Sequence, residues 1–410
     1  MIAAQHHLFE NDRRLVLEEA IELTVQSLQA YGPTHEHWGI AYSGGKDSSA
    51  TLTLIMWLIE TGRVAKPKTL SVFYADTRME LLPLAIAADL ILAKLRTMGI
   101  AVHVVRAPMD KRFLVYILGR GVPPPNNNTL RWCTRQIKID PMQAALEHEL
   151  DGIDGQILMI TGVRQGESAV RDRRIEMSCG KDGAECGQGW YQKVLPEATG
   201  LRGRLATLAP ILHWRVCHVW DWLNFYAPNA QYGGWATRTI AAAYGGDEAE
   251  EINARTGCVG CPLAQKDNAL DAIVAQPDWA YLAPLKGIRP IYRHLREPAN
   301  RLRKPGREAL KGGGFSKNPQ RMGPLTFAAR LDALDHILAI QGACNEAAIR
   351  LGRPLVDMLN SEEEARIREL ITAKTWPERW DGTEPIGDAV LDTVYRDGSV
   401  QPQLFSAEDL

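Results

Sequence analysis

The 410-residue chain has almost no net charge, since 47 Lys and Arg against 49 Asp and Glu leave −2, which excludes a polyanion-binding surface spread over the whole protein. It has no uninterrupted apolar run of 18 residues, the length a membrane-spanning helix needs. Met1–Arg14 has neither the basic start nor the apolar stretch of a secretory leader, so the expected location is the cytoplasm, with no membrane partner. No internal repeat is apparent. The seven cysteines are too few in so long a chain for a disulfide scaffold. Being odd in number in an intracellular chain, they point to metal, redox or sulfur chemistry. With 45% hydrophobic and 23% charged residues, the composition excludes intrinsic disorder and collagen-like repeats and suits one large core or two unequal ones.

Leu8–Tyr31 places Leu17, Ile21, Val25 and Leu28 at helical spacing among acids and stops at Gly32-Pro33. From Trp38 a β-strand runs through Tyr42, then a glycine turn, then a helix over Ser48–Thr61. Strands at Thr69–Ala75, Ala101–Val105 and Gln156–Thr161 follow, with a helix over Glu80–Met98. This alternation predicts an α/β fold with a doubly wound, mostly parallel sheet, whose ligand site lies at the carboxyl ends of the strands. The turns after Tyr42, Ala75 and Thr161 should therefore converge. Gly119–Asn128, with three prolines and three asparagines, reads as a surface loop, and Ser178–Trp190 as a second irregular stretch. Helices are expected over Thr326–Ile340 and Ser361–Thr372. The expected division is an N-terminal helix packed on the core in 1–33, a nucleotide domain carrying the cysteines in 34–275, and a basic segment with a mainly helical C-terminal extension in 276–410. Lys286–Arg330 holds twelve Lys and Arg against Glu297 and Glu308. It is either a solvated basic linker or a track for a nucleic acid backbone, whose affinity would then depend on salt.

The sharpest signal is Ser43-Gly44-Gly45-Lys46-Asp47-Ser48, between a strand and a helix. Small residues let backbone N–H groups approach phosphates, the helix N-terminus adds partial positive charge, and Lys46 adds a full one. A Walker A loop is excluded, because Ile40 stands where its first glycine would be and Asp47 where its Ser or Thr would be. The segment resembles the SGGxDS PP-loop of the ATP pyrophosphatases (adenine nucleotide alpha-hydrolases). The resemblance implies that Ser43, Gly44, Gly45 and Ser48 hold pyrophosphate, with Asp47 near a metal or the loop backbone. Tyr74-Ala75-Asp76-Thr77 with Glu80 resembles the turn that contacts adenosine in that superfamily; Asp76 alone reads equally as a helix N-cap. Gly162-Val163-Arg164-Gln165-Gly166-Glu167-Ser168 resembles the G-x-R-x-x-E-S turn of the phosphoadenosine phosphosulfate reductase branch, where Arg164 would neutralise phosphate.

Arg131-Trp132-Cys133 with Arg135, Lys138 and Pro141 resembles the R-x-C-x-x-x-x-K-x-x-P segment of the same branch, and positive charge beside a thiol favours ionisation. Gly257-Cys258-Val259-Gly260-Cys261 is a C-x-x-C that taken alone suits zinc, a redox dithiol or half an iron–sulfur site. Together with Cys133 it resembles the layout of iron–sulfur sulfonucleotide reductases and sulfurtransferases. The implied group is an iron–sulfur cluster, [4Fe–4S], on Cys133, Cys258, Cys261 and a fourth ligand, with Cys217 preferred over Cys179 or Cys186. Cys344 reads as core, and His213 and His218 as structural.

The whole set is most similar to the DNA phosphorothioation sulfurtransferases, the DndC-like and SspD-like proteins, over about Trp38–Leu270. That resemblance implies adenylylation of a DNA backbone phosphate by ATP with Mg2+, then sulfur insertion. Lys46, Asp47, Arg135, Lys138 and Arg164 would be catalytic, Gly162 would join the nucleotide site, and the partners would be a cysteine desulfurase and DNA, possibly through a companion protein. The alternatives are a phosphosulfate reductase, disfavoured because Gln401–Leu410 holds no cysteine, a tRNA thiolase, and a non-enzymatic nucleotide-sensing iron–sulfur subunit.

Overall fold

The computed structural model describes residues 15–126, 130–149, 151, 153–166, 172–173, 175, 189–193, 203–244, 258–264, 266–310 and 312–403. Two compact units interleave along the chain: the first comprises 1–75, 82–105 and 142–256, and the second 76–81, 106–141 and 257–410.

The first unit is built on a six-stranded sheet in the order β3-β2-β1-β4-β6-β5, with β1 His37–Tyr42, β2 Thr69–Ala75, β3 Ala101–Val105, β4 Ile157–Ile160, β5 Trp190–Lys193 and β6 Leu205–Ala209. All neighbours are parallel except the edge strand β5, which runs antiparallel to β6. The central β1 and β4 are apolar along nearly their whole length because both faces are covered. On one face Gly39 leaves room for Phe73 and Met159, which pack with Leu146 of the helix Asp140–Glu149. On the other, Trp38 lies under Gly32 at the end of α1 (Leu17–Tyr31), and Tyr42 Oη accepts from Ser49 of α2 (Lys46–Glu60) at 3.4 Å. Helices on both faces make the sheet doubly wound, as the strand and helix alternation predicts. The chain leaves β1 for β2 on one side and later takes β4 on the other. The switch point of the topology, where such sheets bind ligands, is therefore the carboxyl edge between β1 and β4.

The second unit contains the helices Phe327–Leu351 and Ser361–Thr372, so the expected helical C-terminal extension is present, the first helix running past its predicted end at Ile340. The expectation of a surface loop at Gly119–Asn128 fails: Gly121 and Pro123–Pro125 are buried, while 127 and 128 lie outside the described residues. Prolines carry no N–H to satisfy, and their carbonyls are capped, Pro123 by Trp132 Nε1 at 3.3 Å and Pro125 by the Arg296 guanidinium. Beside them Arg330 is fully buried, with no carboxylate partner among the described residues. It donates to the carbonyls of Leu325, Gly119 and Thr375 at 3.0, 3.2 and 2.9 Å and lies over the rings of Phe327 and Trp376. Among the described residues no helix is long and apolar enough to cross a membrane.

Gly121 has φ +76°, and a Cβ there would run into the Arg330 guanidinium. Gly121→Ala is expected to lower stability by about 2 kcal/mol or more, read as a lower urea midpoint; an unchanged midpoint would show that Arg330 is not held as tightly as its three carbonyl bonds imply.

Candidate functional site

The loop after β1 and the turn after β4 meet at the switch point. Gly44 takes φ +72°, and the backbone amide and side chain of Ser43 engage Ser48 Oγ at 3.2 and 3.0 Å. Ser48 Oγ donates in turn to the Gly45 carbonyl at 3.1 Å, so the loop is closed before any ligand arrives. From the β4 side Gly162 presses against it: a Cβ there would stand 2.8 Å from the Ser48 amide nitrogen and 2.9 Å from the Asp47 carbonyl.

Asp47 is the electrostatic centre. Lys46 Nζ donates to one carboxylate oxygen at 2.6 Å and Arg164 Nε to the other at 2.5 Å, while Arg164 Nη1 donates to the Trp214 carbonyl at 3.1 Å. All three are buried, with Arg164 at 0% exposure, Lys46 at 4% and Asp47 at 9%. Burial alone would raise the Asp47 carboxyl, but the two cations outweigh it and hold it below the ordinary carboxylate range. Arg164, expected to neutralise phosphate, thus has Asp47 as its counter-ion. Tyr244, which the sequence reading missed, covers the loop: its hydroxyl accepts from the Lys46 amide at 3.4 Å and its ring lies under Lys46 Nζ at 5.6 Å. A lone tyrosine near a helix end carries no motif that could have flagged it. His213 and His218 engage the carbonyls of Ala20 and Leu15 at 2.8 and 2.9 Å, tying this region to the N-terminal helix. Cys217 is exposed in the same unit, in the short helix Val216–Asp221. Glu167, Ser168, Cys179 and Cys186 lie outside the described residues.

The second unit holds the other expected residues. Asp76 accepts from the Arg78 amide at 2.9 Å and from Arg106 Nε at 2.6 Å. Arg135 and Lys138 lie on a π-helical turn, Arg135–Ile139. Arg135 is 82% exposed and pairs with Asp140 at 3.2 Å, while Lys138 is half-buried and its positive charge acts on Glu80 and Cys258. Cys133, Cys258 and Cys261 interact electrostatically with one another. Burial pushes the Cys258 thiol up to about 12 despite Lys138, with Glu80 and the other two sulfurs adding to the rise. Burial also raises Cys133 and Glu80.

Among the described residues no group of three or more His, Cys, Asp or Glu is spaced to hold a metal ion. One orphaned atom nevertheless suits a sulfur-rich ligand. Tyr292 is fully buried, its hydroxyl has no hydrogen-bond partner among the described residues, and the sulfurs of Cys258 and Cys261 act on it. An unpaired buried O–H costs about 1–3 kcal/mol, and a thiolate or sulfide in that position would accept it. Phe113 packs between Tyr292 and Trp132, the residue before Cys133, at ring distances of 5.9 and 5.4 Å. Arg296 ties the Pro262 carbonyl, next to Cys261, to Pro125.

Residues 37–227, a little under half of the chain, match the sequence model of the phosphoadenosine phosphosulfate reductase domain family. The matched span covers the sheet, the Ser43–Ser48 loop, Arg164 and Cys133 but not the C-x-x-C. No curated protein matches the chain. Among solved structures, a Candida glabrata FMN adenylyltransferase in complex with FMN and the ATP analogue AMPCPP aligns at 14% identity and a TM-score of 0.31, over 54% of this chain and 60% of that one.

Asp47→Asn removes the carboxylate that Lys46 and Arg164 share, a change expected to cost about 3–5 kcal/mol. The sign in pH follows from the lowered carboxyl. Unfolded aspartate takes its proton near pH 3.9, so the stabilisation is complete above that value and fades as pH falls through the lower folded one. Urea unfolding from pH 7 down to 2 should show the wild type losing this increment only below about pH 4, and the variant lacking it throughout. In native protein at pH 8, iodoacetamide should alkylate exposed Cys217 well before Cys258, whose thiol is held up; equal labelling by mass spectrometry would contradict the raised Cys258 thiol.

Proposed function

We propose that the chain is an ATP pyrophosphatase that activates a nucleic acid backbone phosphate for sulfur transfer, as the DNA phosphorothioation sulfurtransferases do. The observation that carries this reading is the Ser43–Ser48 loop at the switch point, with Asp47 fixed between Lys46 and Arg164. The match of residues 37–227 to the phosphosulfate reductase domain family supports it.

In the first step an oxygen of the acceptor phosphate attacks the α-phosphorus of ATP, the bond to the β-phosphate oxygen breaks, and pyrophosphate leaves. Ser43, Gly44, Gly45 and Ser48 cradle the leaving group through backbone amides and hydroxyls, and Lys46 supplies charge beside it. Mg2+ carried with ATP neutralises the phosphates. Asp47 and Arg164 act as positioning residues, because both are buried and bonded to each other. In the second step the terminal sulfur of a persulfide attacks the acceptor phosphorus and AMP leaves. A second thiol then breaks the remaining S–S bond, its oxidation to a disulfide balancing the electrons. A cysteine desulfurase is the donor this chemistry requires. Cys133, Cys258 and Cys261 would hold an iron–sulfur cluster, which would supply electron or sulfur relay, with Tyr292 donating a hydrogen bond to it.

A second reading, reduction of a phosphosulfate nucleotide to sulfite, is favoured by the family match itself. It is distinguished by sulfite formation with a thiol donor and no pyrophosphate.

Anaerobically purified protein incubated with ATP, Mg2+ and an oligonucleotide should release pyrophosphate, and Lys46→Ala should slow this by about 100-fold or more. Iron near four per chain would accompany it. Cys258→Ser or Cys261→Ser should remove the brown colour and leave ATP binding intact. Absence of pyrophosphate from the wild type would sink the enzymatic reading, and iron retained in both cysteine variants would sink the cluster.

A further inference from the structure

Most of the cations in Lys286–Arg330 are committed within the second unit. Lys286 pairs with Asp271 at 2.6 Å and Lys304 with Glu384 at 2.5 Å, and Arg321 grips Glu308 with two bonds at 2.6 and 2.9 Å. Arg289, Arg296, Arg301 and Arg330 are spent on backbone carbonyls. Few cations of the segment are therefore left for a partner, and one of them, Arg307, lines a cavity.

That cavity, of about 520 Å3, has walls that include Lys304, Arg307, Glu308, Leu310 and Arg379. Glu308 is already neutralised by Arg321. Arg307 makes no salt bridge among the described residues, though its charge acts on the Asp397 carboxylate; its Nε is buried without an acceptor, and its guanidinium lies over the Phe315 ring at 4.6 Å. Arg379 is exposed, and its backbone is held at φ +71° where its own carbonyl accepts from Lys304 at 2.6 Å. Phe315 and Leu310 are 54% and 46% exposed on a small hairpin closed by Leu310 N–H to Gly314 O at 3.0 Å and Ser316 N–H to Glu308 O at 2.8 Å. Nothing surrounds Gly312, Gly313 or Gly314 within 4 Å of where a side chain would begin. The hairpin thus presents an aromatic ring and a guanidinium together, at the rim of a cationic cavity, in open solvent.

We infer that this hairpin and cavity form a binding site for single-stranded nucleic acid. Arg307 and Arg379 take consecutive backbone phosphates, each having unused N–H donors. The exposed face of Phe315 stacks on a base, which a single strand offers and a paired duplex does not. The inference deepens the proposed function by naming where the acceptor strand is held, and it rests on that reading for the class of substrate.

The test is fluorescence anisotropy of a labelled oligothymidylate against the full-length protein over a range of salt, with pyrophosphate release measured on the same preparations. Arg307→Ala/Arg379→Ala should weaken binding by tenfold or more and flatten the slope of log K against log salt by about 1.4, two phosphates at about 0.7 each. Phe315→Ala should weaken binding about tenfold and leave the slope unchanged. Phe315 and Arg379 are exposed and Arg307 is half-buried with no salt bridge among the described residues, so the urea midpoint should move little. Undiminished affinity in the double variant, a wild type that binds no oligonucleotide, or equal affinity for duplex of the same length would each overturn the site. If oligonucleotide binding behaves as described but the wild type releases no pyrophosphate, the site stands and the proposed activity falls.

Discussion

A carboxylate shared by two buried cations organises the switch point of the sheet. Asp47 cannot be withdrawn from solvent as an anion unless something offsets its lost hydration, and Lys46 and Arg164 do so from opposite sides. Because Lys46 precedes Asp47 in the loop and Arg164 follows β4, the same ion pair joins the two turns that border the crevice. Gly162 has to be glycine for the turns to come this close. The loop therefore keeps its conformation through this charge network together with the Ser43–Ser48 and Ser48–Gly45 hydrogen bonds.

The second unit disposes of positive charge differently. Arg330 has no anionic partner among the described residues; three carbonyls and two aromatic faces take its place. Carbonyl dipoles cannot match a carboxylate in strength, but they fix direction, and here they tie Gly119, Leu325 and Thr375 to one planar group. Glu363 does the reverse, a buried carboxylate gripped by Arg78 and Arg112 at 3.2 and 3.1 Å. Ion pairs and carbonyl contacts within this unit thus consume cations that composition alone would assign to a partner.

The strands bordering the switch point were legible because buried parallel strands are short apolar runs and their turns carry glycine. β2 and β3 fall where the alternation places them, and the first four strands and the first three helices of the sheet follow the predicted order. The edge strand β5 was not legible, since an antiparallel edge strand of four residues has neither the length nor the flanking helix that marks its neighbours. Pro123–Pro125 misled for a chemical reason: proline is frequent in loops because it lacks an N–H, and the same lack lets it be buried once its carbonyl is capped. The interleaving of the two units could not be read at all, because it depends on contacts between residues hundreds of positions apart. Within the site, the Ser43–Ser48 motif and Arg164 were visible as patterns, whereas Tyr244 and Tyr292 matter through where their hydroxyls point.

The cysteines show how burial constrains the chemistry open to this chain. A thiol held near 12 is protonated at neutral pH, so Cys258 in this state is a poor nucleophile whatever its accessibility. Lys138 pulls in the other direction, but one half-buried ammonium does not outweigh desolvation together with Glu80 and two neighbouring sulfurs. Were a multiply charged cation to bind there, the negative charge it brings out on the Cys258 and Cys261 sulfurs would give the Tyr292 hydroxyl an acceptor. A redox dithiol would leave Tyr292 unsatisfied in both of its states, since neither a thiol nor a disulfide is a strong acceptor. The orphaned hydroxyl therefore argues for metal–sulfur chemistry over thiol–disulfide exchange, on grounds independent of the C-x-x-C spacing.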